Sequence, residues 1–215
     1  MTILALEFSS PHRSVAVLRA DSVVEAVETG GRGTNAFHLI ERVLTESGVA
    51  RGQIEMVVVG LGPGSYTGIR VAVAIAQGWQ LARGMKLLGI SSAECLAAQA
   101  QAENIFGTVN IVIDAQRNEF YRAIYDISPA GCKKIGSLEI ADLSAASSAA
   151  PIREVWIGPE VTRWFPDGRV LFPSAATLAR LARGRNDFKS GEKLAPIYLR
   201  ETNFIKAPLP RPVMF

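Results

Sequence analysis

The sequence predicts an α/β protein built from two related lobes, and three features lead there. A strand ending in an acid, a short turn and two further strands open the chain between Ile3 and Glu28. The same order recurs between Asn110 and Ile140, with Glu7 and Asp114 in matching places. Between the two, the fully apolar Met56–Gly60 passes through a glycine-rich turn into a long helix, as a strand buried in a parallel sheet would. The 215 residues are 48% hydrophobic and 20% charged, enough for a core and too apolar for a disordered chain. The division expected is an N-terminal α/β lobe over residues 1–105, with the glycine turn, and a C-terminal α/β lobe over 106–215.

Each element has a local reason. Ile3–Phe8, Ser14–Leu18 and Val23–Glu28 alternate with the turns Ser9–His12 and Ala20–Ser22. After the flexible break Gly30–Gly33, Asn35 caps a helix whose Phe37, Leu39, Ile40, Val43 and Leu44 recur at helical spacing, stopping at Ser47-Gly48. The long helix runs Ile69–Arg83 and closes at Gly84; Lys86–Ile90 is a strand. Ser91 and Glu94 have capping-box spacing for a helix reaching about Glu103. In the second half, Asn110–Asp114, Glu119–Tyr125, Lys134–Ile140 and Val155–Gly158 read as strands and Ala175–Arg183 as a short helix. The Ala/Ser stretch 144–150 reads as a helix end or loop, and Pro208–Pro212 as extended.

Composition excludes several classes. Twenty-three basic against 20 acidic residues leave a net charge of +3, which permits a polyanion partner without requiring one. The two cysteines, Cys95 and Cys132, sit in no metal or redox spacing, which favours a reducing cytoplasm. The N-terminal apolar run stops at Glu7 and reads as a strand rather than a signal peptide, and no uncharged run is long enough to span a membrane. His12 and His38 are the two histidines, in no zinc-binding or triad pattern.

The segment Gly60–Gly68 carries the strongest chemical signal. Its glycines and Pro63 let the backbone turn tightly, and Ser65 or Thr67 can cap the following helix. Gly62, Gly64, Ser65 and Thr67 are thus candidates for an anion-binding turn, although the lysine of a Walker A loop is missing. The alternative is a plain strand-to-helix joint. From Val71 through Leu81 the helix carries no charge, and an apolar helix needs cover on both sides. One face can lie on its own sheet; the other requires an internal neighbour or a second chain.

Gly62-Pro63-Gly64-Ser65-Tyr66-Thr67-Gly68-Ile69-Arg70, followed by an Ala/Gly-rich helix with Gln77-Gly78, closely resembles the TsaB (YeaZ) family of tRNA threonylcarbamoyladenosine biosynthesis proteins. So do Ile3–Glu7, Ile113-Asp114-Ala115 with Arg117, Glu119 and Tyr121, and Pro196–Arg200. Glu7 stands where the family commonly has Asp, and Arg32–Asn35 replaces a frequent His-Ser.

The resemblance implies the two-lobed actin/Hsp70/sugar-kinase-like (ASKHA) fold, as a non-catalytic paralogue of TsaD. It implies a scaffold and activating role in making N6-threonylcarbamoyladenosine at position 37 of ANN-decoding tRNAs. Implied partners are a TsaD-like catalytic paralogue, a TsaE-like ATPase, a second copy of the chain when alone, and tRNA through the complex. ATP and a metal ion would be used by that complex, with no cofactor or metal assigned to this chain. Family members pair through two N-lobe helices, here Asn35–Ser47 and Gly68–Arg83, which makes Leu39, Ile40, Val43, Val71, Ile75 and Trp79 interface candidates. The alternative is a small ASKHA-type ATPase or kinase that uses Mg-ATP itself.

Overall fold

The computed structural model describes residues 1–30, 35–144 and 154–199. Gly31, Arg32 and Gly33 of the glycine break, most of the Ala/Ser stretch (145–150), Arg200 and Pro208–Pro212 lie outside the described residues.

The chain opens with an antiparallel meander of β1 (Thr2–Glu7), β2 (His12–Arg19) and β3 (Ser22–Thr29), in which Leu6 faces Val15 and Val17 faces Val24. Helix α1 (Ala36–Ser47) follows. The Asn35 side chain accepts the Phe37 and His38 N–H groups, and Gly48 ends the helix at φ 64°. Then come β4 (Met56–Gly60), α2 (Tyr66–Arg83) and β5 (Lys86–Ile90), with β4 parallel to both β1 and β5. Helix α2 starts three residues before the expected Ile69, because Ser65 is its cap and accepts from the Gly68 N–H.

Helix α3 (Ser92–Ala102) leads to a second meander, β6 (Gly107–Asp114), β7 (Phe120–Ser128) and β8 (Gly131–Ala141), then β9 (Val155–Gly158), β10 (Arg169–Val170) and α4 (Ala175–Ala182). The capping box expected at Ser91 and Glu94 does not form. Ser91 caps α3 through the Ala93 N–H, while Glu94 pairs with Arg185 at 2.8 Å.

The first sheet has the order β3-β2-β1-β4-β5 and the second β8-β7-β6-β9-β10, so each strand has a counterpart in the other lobe. This duplicated order, with a meander flanked by parallel strands, is that of the ASKHA fold. The acids of the repeat take equivalent places, Glu7 ending β1 and Asp114 ending β6.

All six residues of β1 are buried, because helices cover both faces of its sheet. Leu4 and Leu6 join the core under α1 and α2, while Ile3 and Ala5 meet Ala175, Leu178 and Ala179 of α4. The lobes exchange helices. Helix α3, which follows the first sheet, packs its Leu96, Ala97 and Ala100 on Val109, Ile111 and Tyr125 of the second. Helix α4, which follows the second sheet, packs on β1, β2 and β4 of the first.

From Asp187 to Leu199 the chain returns along the first lobe. The Lys189 N–H donates to the Leu87 carbonyl at 2.9 Å and the Ile197 N–H to the Leu61 carbonyl at 2.8 Å. Gln77 and Gln80 of α2 hold both polar groups of the Gly191 backbone. No described helix is long and apolar enough to cross a membrane.

Candidate functional site

The glycine turn between β4 and α2 is a packing joint. A side chain on Gly64 would collide with the Ser9 carbonyl oxygen, and one on Gly68 with that of Phe8. Gly62 and Gly64 also hold φ of 87° and 144°, which side chains disfavour. Several of the turn's polar groups are used within the fold. The Ser65 N–H donates to the Ser9 carbonyl at 2.7 Å, the Ser65 hydroxyl caps Gly68, and the Gly62 carbonyl accepts from the Ser92 N–H at 2.8 Å. Of the four residues considered for an anion, Thr67 alone is exposed. The geometry therefore accounts for the glycines by contact with the β1–β2 turn.

The two strand-ending acids are also engaged internally. Glu7 is fully buried; one carboxyl oxygen accepts from the Ser9 N–H at 2.7 Å and the other, Oε2, has no hydrogen-bond partner among the described residues. Gly60 lies directly against this carboxyl. Burial pushes its pKa from 4.5 up to about 7, against the smaller lowering effect of the Ser9 hydrogen bonds.

Asp114 accepts from the Gln116 N–H at 2.8 Å and from its side-chain amide at 3.1 Å, and meets Arg163 at 3.3 Å. Those contacts brace a tip in which Gln116, Arg117 and Asn118 all have positive φ, at 64°, 57° and 63°. Beside it Glu160 is raised in pKa, chiefly by burial, and its carboxylate faces the Asp114 N–H at 3.4 Å. Neither acid offers a free carboxylate to a Mg²⁺–phosphate group, so the donor set does not fit that role. Among the described residues no three His, Cys, Asp or Glu side chains come together as a metal site would require. His12 stacks on Phe172 with centroids 3.6 Å apart, and His38 pairs with Glu28 at 3.6 Å.

The outer face of α1 and α2 is where apolar surface remains. The structure corrects the interface expectation for Leu39, Ile40 and Val43. They are at most 1% exposed, packed in the first core with Leu6, Val57 and Ile69. The apolar stripe of α1 is consumed by its own sheet. Ile75, at 8%, is likewise buried, Trp79 is half-buried, and Val71 is 37% exposed. The expected stripe Val71-Ile75-Trp79 is thus split between inside and outside.

Facing outward on α2 are Tyr66, Thr67, Arg70, Val71, Ala74, Gly78, Leu81, Ala82 and Arg83, with Leu81 90% exposed. Phe37 of α1, 61% exposed, joins Ile40, Glu41, Arg51, Trp79, Ala82 and Arg83 around a shallow apolar hollow between the two helices. At the other end of α2, the Arg70 guanidinium lies 4.0 Å from the Tyr66 ring centroid and its Nε donates to the Tyr198 hydroxyl at 3.1 Å. Sequence reasoning missed Phe37, Tyr66, Arg70, Leu81 and Tyr198 as surface residues. A helix apolar on every side has no polar arc to mark its outside, and Tyr198 reaches α2 from 128 residues away.

Three comparisons bear on this arrangement. The sequence matches the family model "TsaD: tRNA N6-adenosine threonylcarbamoyltransferase" over residues 34–194. It is 34% identical over 127 residues to the tRNA threonylcarbamoyladenosine biosynthesis protein TsaB of Haemophilus influenzae, covering 56% of this chain and 52% of the relative. It is 30% identical over 128 residues to that of Bacillus subtilis, covering 58% and 55%. These two matches span about half the length of the relatives. The TsaB of Escherichia coli is 28% identical over 221 residues, covering 93% of this chain and 95% of the relative. The solved structure of YeaZ from Pseudomonas aeruginosa superposes with a TM-score of 0.80 at 26% identity, over 92% of this chain and 99% of that one. With the family model matching most of the chain, and with the duplicated sheets and glycine turn in place, the protein belongs to the TsaD-like family as a TsaB (YeaZ) member.

Proposed function

We propose that this chain takes part in forming N6-threonylcarbamoyladenosine on tRNA, as a subunit that binds and activates a TsaD-like transferase without carrying out the transfer. The pathway follows the names of its relatives. The role rests on one observation: the outward face of α2 runs from Val71 to Ala82 with no charged residue and with Leu81 almost wholly exposed. Apolar helix surface left in water is free energy that association recovers.

The chain's own acids support the second half of the reading. Glu7 is sealed against Gly60 and Asp114 is tied to Gln116 and Arg163, so reacting phosphates and metal are assigned to the partner. In this scheme α1 and α2 form a helical bundle with the transferase, a TsaE-like ATPase joins the assembled pair, and tRNA with its position 37 is held by the whole complex. ATP and the metal ion belong to the other subunits.

Reconstitution tests this. Threonine, bicarbonate, ATP and tRNA are combined with the TsaD-like and TsaE-like components, with and without this chain. Product that depends on the chain supports the role; equal product in its absence rejects it. Calorimetry of the isolated chain with Mg-ATP tests the competing kinase-like reading, which requires micromolar binding.

A further inference from the structure

Ser9 ties three chain segments into one knot, and an ionisable group sits inside it. The Ser9 carbonyl accepts the Ser65 N–H at 2.7 Å, which anchors the start of α2. Its hydroxyl accepts from the Ser92 hydroxyl at 2.8 Å, at the start of α3. Its N–H donates to the Glu7 carboxyl at 2.7 Å, and the Ser92 N–H closes the knot on the Gly62 carbonyl. The packing leaves no slack: a Cβ on Gly60 would meet the Glu7 carboxyl, and one on Gly64 or Gly68 the carbonyl of Ser9 or Phe8. Glu7, Ser9 and Ser92 are at most 4% exposed, so water does not reach the carboxyl while the knot is intact.

Nothing in the knot balances a negative charge. Ser14 of β2 and Gly60 of β4 stand beside Glu7 in the sheet, and Ser92 and Cys95 belong to α3. Cys95 is the titratable neighbour; burial first, then Glu7 itself, pushes its thiol up, so it stays neutral. Glu25 of β3 and Glu94 of α3, the other acids acting on that thiol, are tied to the Ala176 N–H and to Arg185. Among the described residues no arginine, lysine or histidine pairs with Glu7. Its ionised form is a buried charge without a counter-ion, which local opening to water relieves. We propose that the Glu7 proton is a latch on this joint: the neutral carboxyl keeps it closed, and ionisation opens it and frees the first turns of α2 and α3 together. One proton leaves Glu7 for solvent on opening and returns on closing. The consequence for association rests on reading α2 as the partner-binding helix: an open joint holds that helix less firmly, so partner capture weakens as pH rises through neutrality.

Amide exchange on the full chain tests the latch, with Glu7→Gln measured at every pH so that the ratio of the two cancels the intrinsic effect of hydroxide. In wild type the Ser65 and Ser92 amides should exchange faster than the slowest amides of β4. Their rate relative to Glu7→Gln should rise about thirtyfold from pH 5.5 to pH 8.5, the range over which a carboxyl ordinary when open and perturbed when closed releases its proton. The Glu7 carboxyl carbon, followed by NMR in wild type alone, should titrate near neutrality, which keeps the test alive if Glu7→Gln does not fold. A ratio independent of pH overturns the latch, and so does a Glu7 carboxyl that titrates near 4.5. Exchange of both amides at the rate of the β4 core assigns all opening to global unfolding and also overturns it. A response at Ser65 without one at Ser92 overturns the joint release of the two helices. In a second arm the purified TsaD-like partner is titrated at pH 6 and pH 8.5. Wild type should lose about tenfold more affinity than Glu7→Gln across that range. Equal losses overturn the link to partner capture, whereas no binding at either pH counts against the partner-binding reading and leaves the exchange result to decide the latch.

Discussion

The Glu7 carboxyl lies directly against Gly60, on the neighbouring parallel strand, where any side chain would overlap it. This explains a glycine at the end of an otherwise β-branched and apolar strand. Glu7 Oε2 has no hydrogen-bond partner among the described residues. A double-mutant cycle reads out the contact. Gly60→Ala should destabilise the protein by about 2–3 kcal/mol through overpacking, and by much less in the Glu7→Ala background, where the space is free. Additive losses in urea denaturation would contradict the contact.

The same burial makes stability depend on pH. Glu7 keeps its proton in the folded chain up to about pH 7, while the unfolded chain releases it near 4.5. Folding therefore takes up a proton between those values. Stability falls as pH rises through that window, and the full penalty, about 3 kcal/mol at most, is present above it. Glu7→Gln keeps an acceptor for the Ser9 N–H and has no charge to bury. Relative to wild type, it should gain stability between pH 5 and pH 8, measured as the shift in denaturation midpoint at each pH. A constant difference across that range would show that Glu7 does not titrate there.

Core and surface residues of the two N-lobe helices should separate cleanly. Leu39→Ala removes a side chain with 0% exposure and should cost about 2–5 kcal/mol. Leu81→Glu changes a side chain that is 90% exposed and should leave stability within about 0.5 kcal/mol of wild type while abolishing capture of the TsaD-like partner. Thermal unfolding and co-elution on gel filtration measure the two effects.

Asp114 braces the left-handed tip Gln116–Asn118, so removing its side chain should release strain held there. Asp114→Ala is expected to speed amide exchange at Gln116, Arg117 and Asn118, with a global loss of about 1–2 kcal/mol. Unchanged exchange at the tip would assign its geometry to the β6–β7 pairing alone.

Ser65→Ala should cost about 0.5–2 kcal/mol, because the hydroxyl satisfies the Gly68 N–H at the start of α2. Glycine at a cap costs only a few tenths of a kcal/mol relative to serine, so Ser65→Gly should fall between wild type and Ser65→Ala in chemical denaturation.

Local chemistry carried much of this protein on its own. Asn35 and Gly48 mark α1, Gly84 ends α2, and the unbroken apolar Met56–Gly60 and Val155–Gly158 coincide with their strands, since caps and short buried strands depend on adjacent residues. The repeat of strand, acid and turn foretold two sheets of one topology. Other features required the folded chain. That Leu39 and Val43 face inward while Leu81 faces out depends on which sheet α1 and α2 cover. The exchange of α3 and α4 between lobes, the Ser65–Ser9 joint and the Arg70–Tyr198 contact each join segments far apart in sequence. Periodicity reports which positions share a face. It carries no information about what that face will meet, because the answer lies in packing between elements that no local pattern encodes.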